Sequence, residues 1–436
     1  MQVKITVEID GRQSGIVEHE VSGSAAEIEE QTRSLTQRCG RIVLETGFLQ
    51  ISAASPRPCC CQVPMESRGK RCLTLETTFG PVVVSRTRYR CRSCGAEVYP
   101  ADEAWRCGRH RMTYPLARRI CQLATVEHFQ RLESLLADQH GVAVGHEAIL
   151  ELVHDVGGVL EQARLAAAVP VLRRAPDAAR EIQPQIRPKR ICVSCDGIMY
   201  CTNQTEPVPE APGQHRLVWQ QMKVGCVSWQ DDDDHWHKQI LWGRESPEEF
   251  GASLFELACR CGYQQATEKL FSADGGAWCW DIHSRYFNAA QGILDWYHAS
   301  EHVWGTARTL GTDETTTQEW AETALNQLWT TGGNGIVAWL EEQLRPRRGR
   351  SRTAIEALLS YFHPRTPFTD YPVYRARGWP IGTGMMESTC KQLVGLRLKG
   401  PGMHWTETGA LAVTALRATD LNGKWDAFWN QLVLTV

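Results

Sequence analysis

The chain has 436 residues, a formal net charge of −3, 42% hydrophobic and 22% charged residues. That supplies apolar content for two or three packed domains but no uninterrupted run of the roughly eighteen apolar residues a membrane-spanning helix needs. The opening, Met-Gln-Val-Lys-Ile-Thr-Val-Glu-Ile, alternates like a strand and lacks a signal peptide's apolar core. The expected location is therefore the cytoplasm, and the 17 cysteines are not expected to form a secreted disulfide framework. The overall balance does not advertise a polyanion binder, yet arginine is clustered: Arg86, Arg88, Arg90 and Arg92; Arg106, Arg109 and Arg111; Arg345, Arg347, Arg348, Arg350 and Arg352. Acid collects at Asp231 to Asp234.

Residues 1–55 read as a strand, a helix from Ser24 to about Cys39, and a second strand, with no visible chemistry. Residues 56–105 differ. Cys59-Cys60-Cys61 precedes a glycine-containing turn, and strand-like runs over 71–78 and 81–89 follow. The segment closes on Cys91-Arg92-Ser93-Cys94-Gly95. Two cysteines two residues apart before a glycine have the geometry of a zinc knuckle. The other two ligands come from the Cys59–Cys61 triplet, with Cys59 and Cys61 as the assigned pair. A small ribbon held by its own core alone is the competing reading.

Residues 106–168 carry helical periodicity through Leu116, Ile120 and Leu123, then Phe129, Leu132, Leu135 and Leu136. The piece from Leu135 to Ile149 reads as helix, glycine turn, helix. A DNA-binding helix-turn-helix and an ordinary helical hairpin share that pattern. Residues 169–189, rich in Pro, Ala and Arg, read as a linker.

The second half opens with Ile191-Cys192-Val193-Ser194-Cys195-Asp196-Gly197, an apolar strand expected to end by presenting one carboxylate. Strands follow over 217–229 and 235–242. Ser246, Pro247 and Glu249 then cap a helix to about Cys261. Strands over 269–273 and 292–294 end at Asp274-Gly275-Gly276 and Asp295-Trp296-Tyr297-His298. Three strands, a helix and two more strands is the order of a ribonuclease-H-like sheet. The fold expected for 190–436 is therefore α/β and ribonuclease-H-like, with an α-helical insertion over about 299–376. The chain returns through Gly382-Thr383-Gly384-Met385-Met386-Glu387 into a late helix.

Phosphodiester chemistry with two magnesium ions (or manganese) needs hard oxygen ligands from separate elements. Asp196 would bridge the ions, Asp274 would bind one, and Glu387 would reach the other. Asp295 and Asp281 remain alternatives for the second carboxylate.

The motifs resemble those of bacterial insertion-sequence DDE transposases of the ISKra group, related to Mutator-like transposases. The matching pieces are Asp196-Gly197, Asp274-Gly275, Asp295-x-x-His298 and Pro380-Ile381-Gly382-Thr383-Gly384-Met385-Met386-Glu387-Ser388. The similarity continues through Arg397-Leu398-Lys399 and Gly402-Met403-His404-Trp405 to Ala415-Leu416-Arg417, spanning about 56–420. It implies an Mg-dependent enzyme that binds the terminal inverted repeats of its element as double-stranded DNA, cleaves at the ends, and joins the 3′-hydroxyls to target DNA. The triad would be Asp196, Asp274 and Glu387, with Asp295 and His298 auxiliary to it. A homo-oligomer on nucleoid DNA follows from pairing two ends. The family's spaced cysteine pair is replaced here by the Cys59–Cys61 triplet. A nuclease without strand transfer and a non-catalytic DNA-binding regulator are the alternatives.

Overall fold

The computed structural model describes residues 1–105, 108–174, 177–211, 213–231 and 233–432. Arg106 and Asp232, which the arginine and aspartate clusters above include, lie outside the described residues. The chain is mixed α/β and divides into two compact units, Met1–Val159 with Gly423–Val436, and Leu160–Asn422.

In the first unit, β1 (Gln2–Ile9) and β2 (Arg12–Glu20) form an antiparallel hairpin. Its turn residues Asp10 (φ 51) and Gly11 (φ 73) are both left-handed, the backbone a two-residue hairpin turn requires. Helix α1 (Ala25–Ala54) starts at a capping box in which Ser24 and Glu27 satisfy each other's backbone N–H groups, a cap worth about 1 kcal/mol. The second strand expected before residue 55 is instead the rest of this 30-residue helix. The β-branched run Ile42-Val43 suggests a strand, but tertiary packing overrides it. Leu35, Cys39 and Ile42, at i, i+4 and i+7, pack with Val17 and Val21. Leu44 and Phe48, four apart, pack on Leu73, Leu75, Val82, Val84 and Trp105.

Next come β3 (Cys59–Cys60), β4 (Val63–Pro64), β5 (Glu66–Thr77), β6 (Gly80–Arg90) and β7 (Glu97–Val98). β3 and β4 form one small hairpin, and the other three a sheet in the order β5-β6-β7. Helices α2 (Pro100–Trp105), α3 (Tyr114–Ala124), α4 (Phe129–His140) and α5 (His146–Arg174) follow. α5 runs into the stretch read as a linker, so that 169–174 is helical despite Pro170. Pro removes one helical hydrogen bond, but the alanine-rich turn before it is among the best helix-forming sequence.

The second unit is built on a five-stranded mixed sheet of β8 (Arg190–Pro207), β9 (His215–Gln230), β10 (Trp236–Gly243), β11 (Glu268–Ala273) and β12 (Gln291–Leu294), in the order β10-β9-β8-β11-β12. β8, β9 and β10 pair antiparallel, whereas β11 runs parallel to both β8 and β12. α6 (Pro247–Arg260), with the expected Ser246/Glu249 capping box, crosses from β10 to β11, and α7 (Ala277–Tyr286) from β11 to β12. β8 does not end at Asp196. It continues for eleven residues, because the 197–207 segment keeps pairing with β9. The sheet interior is buried on both faces, with Ile191, Cys192, Val193, Ser194 and Cys195 all buried.

The helical insertion comprises α8 (Trp296–Leu310), α9 (Glu314–Leu344), α10 (Gly349–Phe362) and α11 (Tyr371–Ala376). The glycine-rich stretch 331–335 breaks α9 into two helical segments: Gly332 is non-helical at φ 69, and a Cβ on Gly333 would collide with Thr369. α12 (Gly384–Cys390) passes through a π-helical turn (Lys391–Gly395) into α13 (Leu396–Leu398), and α14 (Glu407–Leu421) follows. α15 (Trp425–Gln431) belongs to the first unit, where buried Trp429 meets Tyr114 edge-on and Asp426 pairs with Arg118. The segment 190–436 is thus not one unit, because its end is anchored by these tryptophans.

Candidate functional site

In the second unit, the sheet register puts three aspartates on one rung. Ser194 of β8 is opposite Ser272 of β11, and Ala273 of β11 is opposite Leu294 of β12. Continuing those parallel registers brings Asp196, Asp274 and Asp295 abreast. In parallel neighbours, residues at one level point to the same face.

Their surroundings differ. Asp196 accepts from its neighbour Gly197 N–H at 2.5 Å and from the Cys390 thiol at 3.8 Å. Burial, and then the negative charge of Asp274, push its carboxyl pKa above the usual range, against smaller opposing effects that include His298. The charges of Asp196, Asp274 and His298 therefore meet in one place. Asp274 accepts from Gly276 N–H at 2.9 Å, across Gly275, whose φ of +130 favours glycine.

Asp295 is 2% exposed, and both of its oxygens are occupied. One accepts from His298 N–H at 2.7 Å, capping α8. The other accepts from the Thr383 hydroxyl at 2.6 Å and from Thr383 N–H. Its own N–H donates to Ala273 O at 2.9 Å. Asp295 therefore ties the end of Asp274's strand to the residue that starts α12, and three hydrogen bonds occupy most of its carboxylate's lone-pair sites. Asp281 is exposed on α7.

Glu387 sits in the first turn of α12, exposed, its N–H bonded to Thr383 O at 2.9 Å. Cys390, one turn later on the same face, is the residue that reaches Asp196. The side chain of His298 is 45% exposed, with Nδ1 3.8 Å from Glu301. The three carboxylates of Asp196, Asp274 and Glu387 do not converge to 4.8 Å. Among the described residues, only a cysteine group brings three or more metal-ligating atoms that close.

Several motif residues hold backbone. Arg417, buried, donates to Leu393 O at 3.0 Å and to Gln392 O, satisfying carbonyls that the π-helical turn leaves open. Arg397 lies over the Trp405 ring at 4.8 Å, and Trp405 is stitched to β8 through Cys201 O and Asn203 N–H.

Two residues of the insertion were not read from sequence. Arg365 donates to Gly275 O at 2.6 Å and to Tyr361 O at 2.8 Å, fixing the turn that follows Asp274. The Tyr361 ring stacks on His302 at 3.8 Å, and its buried hydroxyl has no partner and faces Gly275. Tyr-x-x-x-Arg on a helix carries no distinctive signal. Cys390 did carry one, since it lies three residues after Glu387 on the same helical face.

In the first unit, the Sγ atoms of Cys60, Cys61, Cys91 and Cys94 all lie within 4.8 Å of one another. Cys60 is 3.5 Å from Cys94 and 3.8 Å from Cys61. The edge of a tetrahedral zinc–thiolate site is about 3.8 Å, from Zn–S bonds of about 2.3 Å. Four thiols at that spacing are able to hold a structural zinc ion. The ligand expected at Cys59 is Cys60. Cys59 and Cys60 pair with Pro64 and Val63 in β3–β4, so their side chains leave opposite faces, and the left-handed turn at Cys61 (φ 51) and Gln62 (φ 63) folds Cys61 back beside Cys60. Backbone N–H groups of Cys94 and Ser93 help hold the Cys91 thiol at about 6, whereas the bond with Cys94 pushes Cys60 up to about 12. Every cysteine among the described residues is free, and Cys72 stands exposed on β5 outside the cluster.

The helix-turn-helix expectation meets an electrostatic obstacle. Gly141 (φ 62) ends α4 and α5 begins at His146, but the exposed residues of its first turns include Glu147 and Glu151. His146 itself is bonded to Glu133. That charge has the wrong sign for a helix lying between phosphates. No helix among the described residues is long and apolar enough to cross a membrane. No protein-family model and no curated protein matches this chain.

Proposed function

We propose that the second unit is a ribonuclease-H-like, magnesium-dependent phosphodiester enzyme acting on double-stranded DNA, and that the chain is a DDE-type transposase. The observation that carries this reading is the rung. A half-buried Asp196 on the central strand has its charge raised in cost by Asp274 on the neighbouring strand, and α12, bearing Glu387, packs against it through Cys390. Two like charges held together in a partly desolvated place are a standing demand for a cation.

The donor set is three carboxylates, which suits a hard divalent ion. Bound there, such ions would activate an attacking oxygen and stabilise a leaving one. The chain's own residues do the positioning. The sheet fixes Asp196 and Asp274 side by side, Asp295 holds the start of α12 against the end of β11, and His298 offers an exposed imidazole beside the pair. The cysteine cluster would hold zinc as a structural brace for its hairpins, with no part in the chemistry.

The test is a strand-joining assay. Purified protein with Mg2+ is given pre-cut duplex ends from the DNA flanking its own reading frame, and a plasmid target. Wild-type protein joins them, and Asp196→Asn does not. Hydrolysis without joining would reduce the reading to a nuclease. Retention of DNA with neither reaction, across Mg2+ and Mn2+, would leave a DNA-binding regulator.

A further inference from the structure

A dense run of positive charge lies outside the candidate site. From the end of α9 into the first turn of α10 the chain reads Arg345-Pro346-Arg347-Arg348-Gly349-Arg350-Ser351-Arg352, five arginines in eight residues. The turn is open. Arg345, Arg348 and Arg350 are exposed, Arg347 is half-buried, and Gly349 (φ +54) has no atom within 4 Å of where a Cβ would stand.

Of the five, only Arg352 pairs with an acid, Glu356 at 2.8 Å. None of the other four takes part in an ion pair, and Arg348 donates only to the carbonyl of Arg347. The acids on the flanking turns are few. Glu341 stands 3.9 Å from His363, Glu342 is exposed, and Glu356 is already taken by Arg352. Among the described residues, Glu356 is the one acid within ion-pair distance of the cluster, which keeps a net positive charge. It also sits at a proline- and glycine-rich helix–helix turn, where side chains fan outward. Arginine's planar fork is the side chain best matched to phosphate oxygens.

We infer that this α9–α10 turn is a docking surface for the sugar-phosphate backbone of duplex DNA, contacted by Arg345, Arg347, Arg348 and Arg350 without reading base sequence. It rests on the proposed function in one respect. A DNA substrate for the same unit makes a duplex, rather than an acidic protein, the occupant that fits. The surface explains how a chain of net charge −3, whose helix-turn-helix-like segment presents acid, could hold DNA at all.

The experiment is a binding titration without divalent metal, using a random-sequence 40-base-pair duplex, at salt from about 50 to 200 mM. Four variants in one chain, Arg345→Gln, Arg347→Gln, Arg348→Gln and Arg350→Gln, are compared with wild type and with the corresponding four Lys substitutions. Each lost phosphate contact should lower the slope of log affinity against log salt by ~0.9, so the Gln protein should lose a slope of ~3–4 and bind all sequences more weakly. The Lys protein should keep most of the slope, and in a separate assay with Mg2+ at saturating DNA the Gln protein should still cleave. An unchanged slope in the Gln protein overturns the inference while leaving the nuclease reading intact if wild type cleaves. A Lys protein as weak as the Gln protein overturns it too, since charge would not be the cause. Equal competition by an acidic polypeptide would make the surface a general polyanion patch and overturn the assignment to DNA. Failure of wild type to bind duplex at any salt removes both this surface and the proposed function.

Discussion

The cysteine cluster and the aspartate rung are both candidate metal centres, yet one is assembled and the other is not. Four thiols stand within 4.8 Å of one another. One lowered thiol, Cys91, among raised neighbours such as Cys60 makes a thiolate beside neutral thiols, which repel it little and exchange weak hydrogen bonds with it. The carboxylates cannot do the same. Asp196 already bears the cost of Asp274's charge, and Glu387 stays exposed, one helical turn from the Cys390 contact. The thiols stand close enough to share one ion, whereas the carboxylates stand apart under like charge.

Removing the brace should have the largest effect. Structural zinc sites of this kind carry an apparent binding free energy of ~10–16 kcal/mol at neutral pH, so chelation should unfold the β3–β4 hairpin. Metal analysis should find one zinc per chain. Cys60→Ser should abolish it, and Cys59→Ser should leave it in place. The reverse result would restore Cys59 as the ligand.

Next in size is the rung itself. Asp196→Asn and Asp274→Asn should each bring Mg2+-dependent cleavage to background in a gel assay, with duplex retention unchanged. Asp295 sharpens the contrast between holding a metal and holding the site. Asp295→Ala should cost ~1–3 kcal/mol in a denaturant titration, from the lost cap and the unpaired Thr383 groups. Asp295→Asn, which keeps an acceptor, should restore much of that stability and should leave the Mg2+ concentration for half-maximal cleavage unchanged. A large increase in that concentration would make Asp295 a ligand after all. Arg365→Lys, which keeps the charge but cannot reach both Gly275 and Tyr361, should have a smaller effect of the same kind, a loss of ~0.5–1.5 kcal/mol for one hydrogen bond.

The smallest effect concerns pH. The carboxyl of Asp196 is raised in the folded protein, so the folded state binds its proton more tightly than the unfolded chain does. Stability should fall as pH rises from the ordinary aspartate range through the raised value. Asp196→Asn should therefore melt higher than wild type at neutral pH without metal, the difference closing in acid. A lower melting temperature for the variant would contradict the picture of an uncompensated charge.

Much of this was legible in the sequence where local and global signals agree. The Ser246/Glu249 capping box, the β11 and β12 strands and the Cys91–Cys94 knuckle all announce themselves in a few adjacent residues. Long-range packing was not legible. Ile42-Val43-Leu44 has strand propensity, and only the partners of Leu44 and Phe48 make it a helix. The choice between Cys59 and Cys60 depends on which face of a two-residue strand points inward. The occupied state of Asp295 depends on Thr383, 88 residues away, and no spacing rule reports that.

That separation has a bearing on synthesis. The Cys390 thiol that reaches Asp196 lies 194 residues further along the chain. At about 5–20 residues per second, roughly 10–40 s pass on the ribosome between the two. From the synthesis of Asp274 to that of α12 the nascent chain holds two of its acids on a partial sheet without the helix that brings the third. Under the proposed function, cutting would wait for α12, so copies that stop short of Glu387 would carry only two of the three acids.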